Sequence, residues 1–94
     1  MRAPTASEVV LLARVLSRVS ARDRLASAAS ILAETDSADL HRRRTGRAHP
    51  AFGDGSLMTR CSLLCPPPEP LADDREFLAC LALAANAVLF HSGQ

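Results

Sequence analysis

The stretch Phe77 to Phe90, FLACLALAANAVLF, constrains the fold more than any other part of the chain. It carries no charged side chain, and at 100° per residue its apolar positions almost encircle a helix. Phe77, Cys80, Leu81, Ala84 and Val88 share one face, with Leu78, Ala85 and Leu89 beside it, and that face is the expected core. Leu83, Ala87 and Phe90 point elsewhere, so only Ala79 and Asn86 remain as a thin strip for water. A helix that is apolar nearly all round must be covered nearly all round. The remaining helices are short, so Leu83, Ala87 and Phe90 are expected to meet a second copy or another protein. Leu11, set among Arg14 and Arg18 on the first helix, is a similar misfit and joins them as a candidate self-association residue. The stretch falls short of the ~18–20 apolar residues that cross a bilayer, so no membrane partner is expected.

The rest of the chain reads as helices separated by well-marked breaks. Thr5-Ala-Ser-Glu8 has the form of a capping box, after which Val9, Leu12, Ala13, Leu16 and Val19 recur at helical spacing. Ser20-Ala-Arg-Asp23 is a second cap, predicting a tight reversal into a helix with Leu25, Ala28, Ala29 and Leu32 on one face. Continued, that face would present Asp36 and Asp39, so a break or kink is expected near Thr35-Asp36. A further helical piece ends in His41-Arg-Arg-Arg44, and Gly46 stops it in a left-handed conformation. Asp54 or Ser56 caps a short helix, roughly Leu57 to Cys65, and the run Pro66-Pro-Pro-Glu-Pro70 forbids its continuation. Asp73, with Glu76 three residues on, opens the last helix. No segment alternates with period two. The expected fold is all-α, a small bundle of about four helices in one domain over 1–94. Residues 45–56 form an irregular connector and 66–72 a proline-rich linker.

Composition narrows the function classes. With 94 residues, 48% hydrophobic and 22% charged, the chain is a folded single domain, too apolar to be disordered. All 11 basic residues are arginine, yet the net charge is only +1, so any attraction to a polyanion must be local. Three cysteines without repeated spacing argue against a disulfide framework and for a reducing cytoplasm. The first residues carry Glu8 and Arg14 around a short apolar run, which does not make a secretory signal. A cytoplasmic location is the expectation.

Three kinds of site chemistry are weakly supported. His49, Asp54 and Ser56 are the residue types of a hydrolytic triad, but their local string lacks a nucleophile elbow. Gly53 and Gly55 serve a turn there, and Asp54 and Ser56 serve a helix cap. Cys61 and Cys65 lie four apart, but no second cysteine pair completes a zinc site, and small buried hydrophobes are the simpler reading. Gly53-Asp-Gly55 lacks the lysine and hydroxyl of a phosphate loop. Neither an enzymatic activity, nor a cofactor, nor a metal is expected.

The arginines of HRRRTGRAHP are the strongest remaining signal. Arg42, Arg43, Arg44 and Arg47 could touch phosphates, dock a protein or remain solvated, with Asp39 at pairing distance along the helix. Four phosphate contacts would give weak, salt-sensitive, sequence-blind binding. Without tryptophan or tyrosine, and with only 3 phenylalanines, stacking on single strands is poorly supplied.

The string RRRTGRAHP followed by FGDGSLM resembles the small terminase-like proteins of alphaproteobacterial gene transfer agent clusters, with looser similarity of pattern along the whole chain. That resemblance implies a non-enzymatic DNA-packaging subunit that self-associates, touches DNA weakly and recruits the large terminase subunit or another packaging protein. The chain departs from typical phage versions in lacking a clear N-terminal helix-turn-helix domain, which leaves recognition of a specific packaging sequence without support. Weak contact repeated around a homo-oligomer would suffice for particles with little sequence preference. The alternative is a small cytoplasmic regulatory adaptor that binds a protein partner and no nucleic acid.

Overall fold

A capped start, a one-turn reversal and a proline break divide the chain into four helices. The structure is a computed structural model describing residues 1–92. It is a small all-α bundle of α1 (Ala6–Leu16), α2 (Arg24–Thr45), α3 (Leu57–Ser62) and α4 (Arg75–Ser92). Among the described residues there is no strand, only an isolated bridge between His49 and Gly53. The Thr5 hydroxyl accepts from the Glu8 amide at 3.3 Å and the Glu8 carboxylate accepts from the Thr5 amide at 3.1 Å, completing the capping box of α1. One 3-10 turn, Ala21–Asp23, reverses the chain into α2. Asp74 supplies the side-chain cap of α4, accepting from the Phe77 amide at 2.9 Å, one residue later than the sequence suggested.

Arg24 locks this corner. It is buried, and its Nε donates to the Leu16 and Val19 carbonyls at 3.0 and 2.9 Å, satisfying oxygens at the open end of α1. Its other arm reaches Glu76 at the start of α4, at 2.7 Å. At the opposite end Asp36 of α2 meets His91 of α4 at 2.6 Å. The two pairs fix α2 and α4 as parallel neighbours, and the reversal at residues 17–23 makes α1 antiparallel to both. α1 packs chiefly on α4, and α3 closes the side of α1 and α2. Leu12, Leu16, Leu32 and Leu57 are fully buried at the centre, each contributing roughly 1.5–3 kcal/mol.

The break expected near Thr35-Asp36 does not occur: α2 runs unbroken from Arg24 to Thr45. Its polar core-side residues each find a partner. The Thr35 hydroxyl donates to the Ile31 carbonyl at 2.8 Å. Asp36 and Asp39 receive the Met1 ammonium at 2.7 and 3.5 Å, and Arg43 reaches Asp39 at 3.3 Å. A helix face can carry carboxylates inward when cations meet them there. The core face of α2 is also rotated from expectation: Ala28, Ile31, Leu32, Thr35 and Ala38 are buried, while Leu25 and Ala29 are exposed.

On α4 the buried stripe is Phe77, Cys80, Ala84 and Ala87, with Leu81 and Val88 half-buried and Leu78, Ala85 and Leu89 exposed. Ala87 therefore corrects its assignment as an outward residue. At i, i+3, i+7 and i+10 from Phe77 it continues the core stripe on the side away from Leu81, while Val88, close to Phe77 around the helix, still packs half-buried against the core. The α3 helix is shorter than expected, ending at Ser62. Cys61 is buried and Cys65 exposed, so the two do not form a buried pair.

Candidate functional site: an arginine-bearing helix end and an apolar groove

The last turns of α2 continue past its contact with the end of α4, and the arginines sit on that extension. Gly46 ends the helix with φ 73°, its amide donating to the Arg42 carbonyl at 2.8 Å. Arg42, Arg43, Arg44 and Arg47 are all exposed. Only Arg43 has an ion pair among the described residues, with Asp39. Their position at the helix C-terminus also suits the helix dipole.

The connector folds back along α2 as a stack of flat side chains. Arg60 of α3 pairs with Glu34 of α2 at 3.0 Å and lies over the Phe52 ring, 5.1 Å from its centre. The His49 ring stacks on Phe52 with centroids 4.6 Å apart and planes 9° apart, and His41 of α2 meets His49 edge-on at 5.1 Å. His49 Nδ1 accepts from the Ala51 and Phe52 amides at 3.0 and 3.1 Å, which holds the turn. Gly55 then passes so close to α2 that a Cβ on it would lie 2.6 Å from the Asp39 Cα, and its φ of 94° also favours glycine. The arginines thus project from a braced helix end.

The residues of the hydrolytic set are occupied with this turn. The Ser56 hydroxyl donates to Asp54 at 2.7 Å and accepts from the Thr59 amide at 3.2 Å as the cap of α3. Hydrogen bonds from the Ser56 hydroxyl and amide, then from Thr59, with the charge of Arg2, outweigh burial and bring the Asp54 carboxyl down to about 2. Among the described residues no hydrogen bond joins His49 to Asp54 or Ser56. Burial pushes the Cys61 thiol up to about 12 and the Cys80 thiol above its ordinary value. Burial alone would raise the Asp36 carboxyl, but hydrogen bonds and charge from the Met1 ammonium and His91 hold it below its ordinary value. The Met1 ammonium is raised in turn, chiefly by its hydrogen bond to Asp36.

The second feature lies along the parallel α2–α4 pair. An open groove of about 960 Å³ runs between Leu25, Ala29, Leu32 and Ala33 of α2 and Leu83, Asn86, Ala87, Phe90 and His91 of α4. Phe90 is 73% exposed at its edge and Leu25 65% exposed, Leu83 is half-buried, and Ala87 lies in the floor. Leu11 does not belong to this surface. It is half-buried in a separate cleft of about 480 Å³ beside Arg14, Met58 and Glu69.

The arginines and all of the groove lining except Phe90 and His91 fall within a family match. The chain belongs to the family described as Domain of unknown function (DUF7742). Its model matches residues 2–88, covering α1 to α3, the arginine segment and most of α4. No curated protein and no solved structure matches the chain. Of the groove residues, the sequence reading named Leu83 and Phe90 as outward-facing, set Leu25 and Ala29 on the inner face of α2, and did not name Ala33. The available signal was the uncharged run LASAASILA, residues 25–33, which resembles α4 in offering apolar and small side chains on more than one face.

Proposed function

We propose that the protein is a non-enzymatic, small terminase-like subunit of a phage-like gene transfer agent. In this reading it self-associates, makes weak sequence-independent contact with DNA through Arg42, Arg43, Arg44 and Arg47, and recruits the large terminase subunit or another packaging protein. The observation that carries the reading is the division of the surface: exposed arginines on a braced helix end, and a mainly apolar groove elsewhere. A contact of this kind uses a few phosphates per copy and gains strength from the number of copies. The resemblance of the RRRTGRAHP and FGDGSLM strings to small terminase-like proteins supports the packaging role, and a cytoplasmic location follows from it.

A duplex of arbitrary sequence tests the DNA contact. At low salt the wild type is expected to retain it with a steep salt dependence. Replacing Arg42, Arg43 and Arg44 together by alanine should lower the salt slope by about 0.9 for each phosphate that the variant no longer neutralises. A wild type that ignores DNA at low salt overturns this part of the reading.

The second reading is a regulatory adaptor that binds a protein and no nucleic acid. Two observations favour it: a net charge of only +1, and the commitment of Arg43 to Asp39. Under that reading the triple alanine variant loses a protein partner, while DNA retention is absent from the start.

A further inference from the structure

We infer that the proline strap between α3 and α4, residues 65–71, is a docking ligand for a different protein whose groove is lined by tryptophan and tyrosine. The inference rests on the recruitment of a protein partner, which both readings of the proposed function share, and is independent of the DNA contact.

Stereochemistry sets the shape of the strap. Proline fixes φ at Pro66, Pro67, Pro68 and Pro70, and each residue ahead of a proline is held extended. The result is a left-handed polyproline rod with three residues per turn. Two arginines seat this rod along the end of α1. Arg18 donates to the Cys65 carbonyl and Arg14 Nε to the Pro67 carbonyl, both at 2.7 Å. Two residues of the rod and four residues of helical chain both advance about 6 Å, so the two carbonyls match the spacing of the two arginines. The strap is thus held extended before any partner arrives, which lowers the ordering cost of docking.

Exposure follows the same three-residue period. Pro67 and Pro70 are half-buried, whereas Pro68 and Leu71 are exposed, Leu71 by 79%. Glu69 is exposed and has no ion pair among the described residues. Among the described residues no hydrogen bond engages the Pro66, Pro68 or Glu69 carbonyl. One edge of the rod rests on the bundle, and the rest offers water a proline ring, a leucine, open acceptors and a carboxylate.

Those groups define the chemistry of the partner. Pro66, Pro67 and Pro68 carry no N–H, so this part of the rod can only accept hydrogen bonds. Flat aromatic side chains pack on proline rings, and indole N–H or phenol O–H groups reach the open carbonyls. A lysine or arginine beside such a groove meets Glu69. A second copy cannot supply the groove, because the chain has no tryptophan, no tyrosine and only 3 phenylalanines. Phe77 is buried, Phe52 lies between His49 and Arg60, and Phe90 lines the separate α2–α4 groove.

The test titrates the full chain into a panel of purified SH3 and WW domains, used as aromatic-groove probes. Their tryptophan fluorescence reports binding, and this chain contributes none. At least one probe should bind the wild type, and Pro68→Ala combined with Leu71→Ser should weaken that binding ~10-fold or more at unchanged helicity. Leu71→Ser alone, at a side chain the fold leaves exposed, should weaken it in the same direction and guards against a folding defect. Leu89→Ser, a similarly exposed leucine on α4, should leave it unchanged. A wild type that engages no probe, a double variant that binds like the wild type, or a loss in Leu89→Ser overturns the inference. Each of these spares the DNA part of the proposed function if DNA is still retained at low salt. Probe binding without DNA retention supports the inference and overturns that part instead.

Discussion

The two halves of α2 put the same backbone to opposite uses. The first half, residues 25–33, is uncharged and leaves Leu25, Ala29 and Ala33 facing an open groove. The second half, residues 34–45, is crowded with charge, and its inward groups are satisfied within the chain. Glu34 meets Arg60, Asp36 meets Met1 and His91, and Asp39 meets Met1 and Arg43. The polar half is therefore internally complete, with its spare arginines turned to water. The apolar half is internally incomplete. This helix is stabilised at its charged end by the rest of its own chain, and at its apolar end it leaves Leu25, Ala29 and Ala33 uncovered by that chain.

Substitutions separate the two halves by what they damage. The largest effect is expected where the connector presses on the charged half: Gly55→Ala forces a Cβ against the Asp39 backbone and demands a left-handed conformation. It should destabilise by about 3–4 kcal/mol in a denaturant titration. Next is Arg24→Met, which keeps the apolar stem but strips the Val19 carbonyl of its guanidinium donor, leaves the Leu16 carbonyl only the Val19 amide, and removes the partner of Glu76. A loss of about 2–3 kcal/mol is expected, read as a lowered thermal midpoint.

Acid gives a smaller and graded effect. Asp54 and Asp36 both lie below their ordinary values when folded, so their contribution is fully present above the normal carboxylate range. It is lost as pH falls through the lowered values, about 2 for Asp54. The Met1 ammonium has the opposite sign: its contribution holds below 8.0 and fades as pH rises through the raised folded value. Thermal midpoints across pH should decline on both sides, and Asp36→Asn should flatten both declines together, at a cost of about 1 kcal/mol near neutrality because the carboxylate is partly solvated. The smallest effect on monomer stability belongs to the apolar half. Phe90→Ser should change the stability of the single copy by less than about 0.5 kcal/mol while abolishing association, as seen by light scattering beside a chemical melt.

How much of this was legible in the sequence depends on the range of each interaction. The capping box at Thr5 and Glu8, the stop at Gly46, the proline break and the surplus apolar surface of α4 all follow from residues within a few positions of each other. Local stereochemistry decides them. The unbroken course of α2 was not legible, because Asp36 is supported from residues 1 and 91, which no spacing rule connects. The rotation of the α4 core stripe onto Ala87 was likewise hidden. A stretch apolar on nearly every side gives little periodic contrast, so the neighbours α1 and α2 decide which stripe turns inward. The arginines could be placed on a helix end, yet their bracing by the His41, His49, Phe52 and Arg60 stack needed the fold.

The proposed self-association is tested most directly by the solution mass of the chain. Measured by multi-angle light scattering across the micromolar range, the protein is expected to exceed its single-chain mass of 10.0 kDa, rising with concentration toward twice that value or more. A constant 10.0 kDa at every concentration, with Leu83 and Phe90 unchanged, would show that one copy tolerates its groove open to water, and the incomplete half of α2 would need no partner.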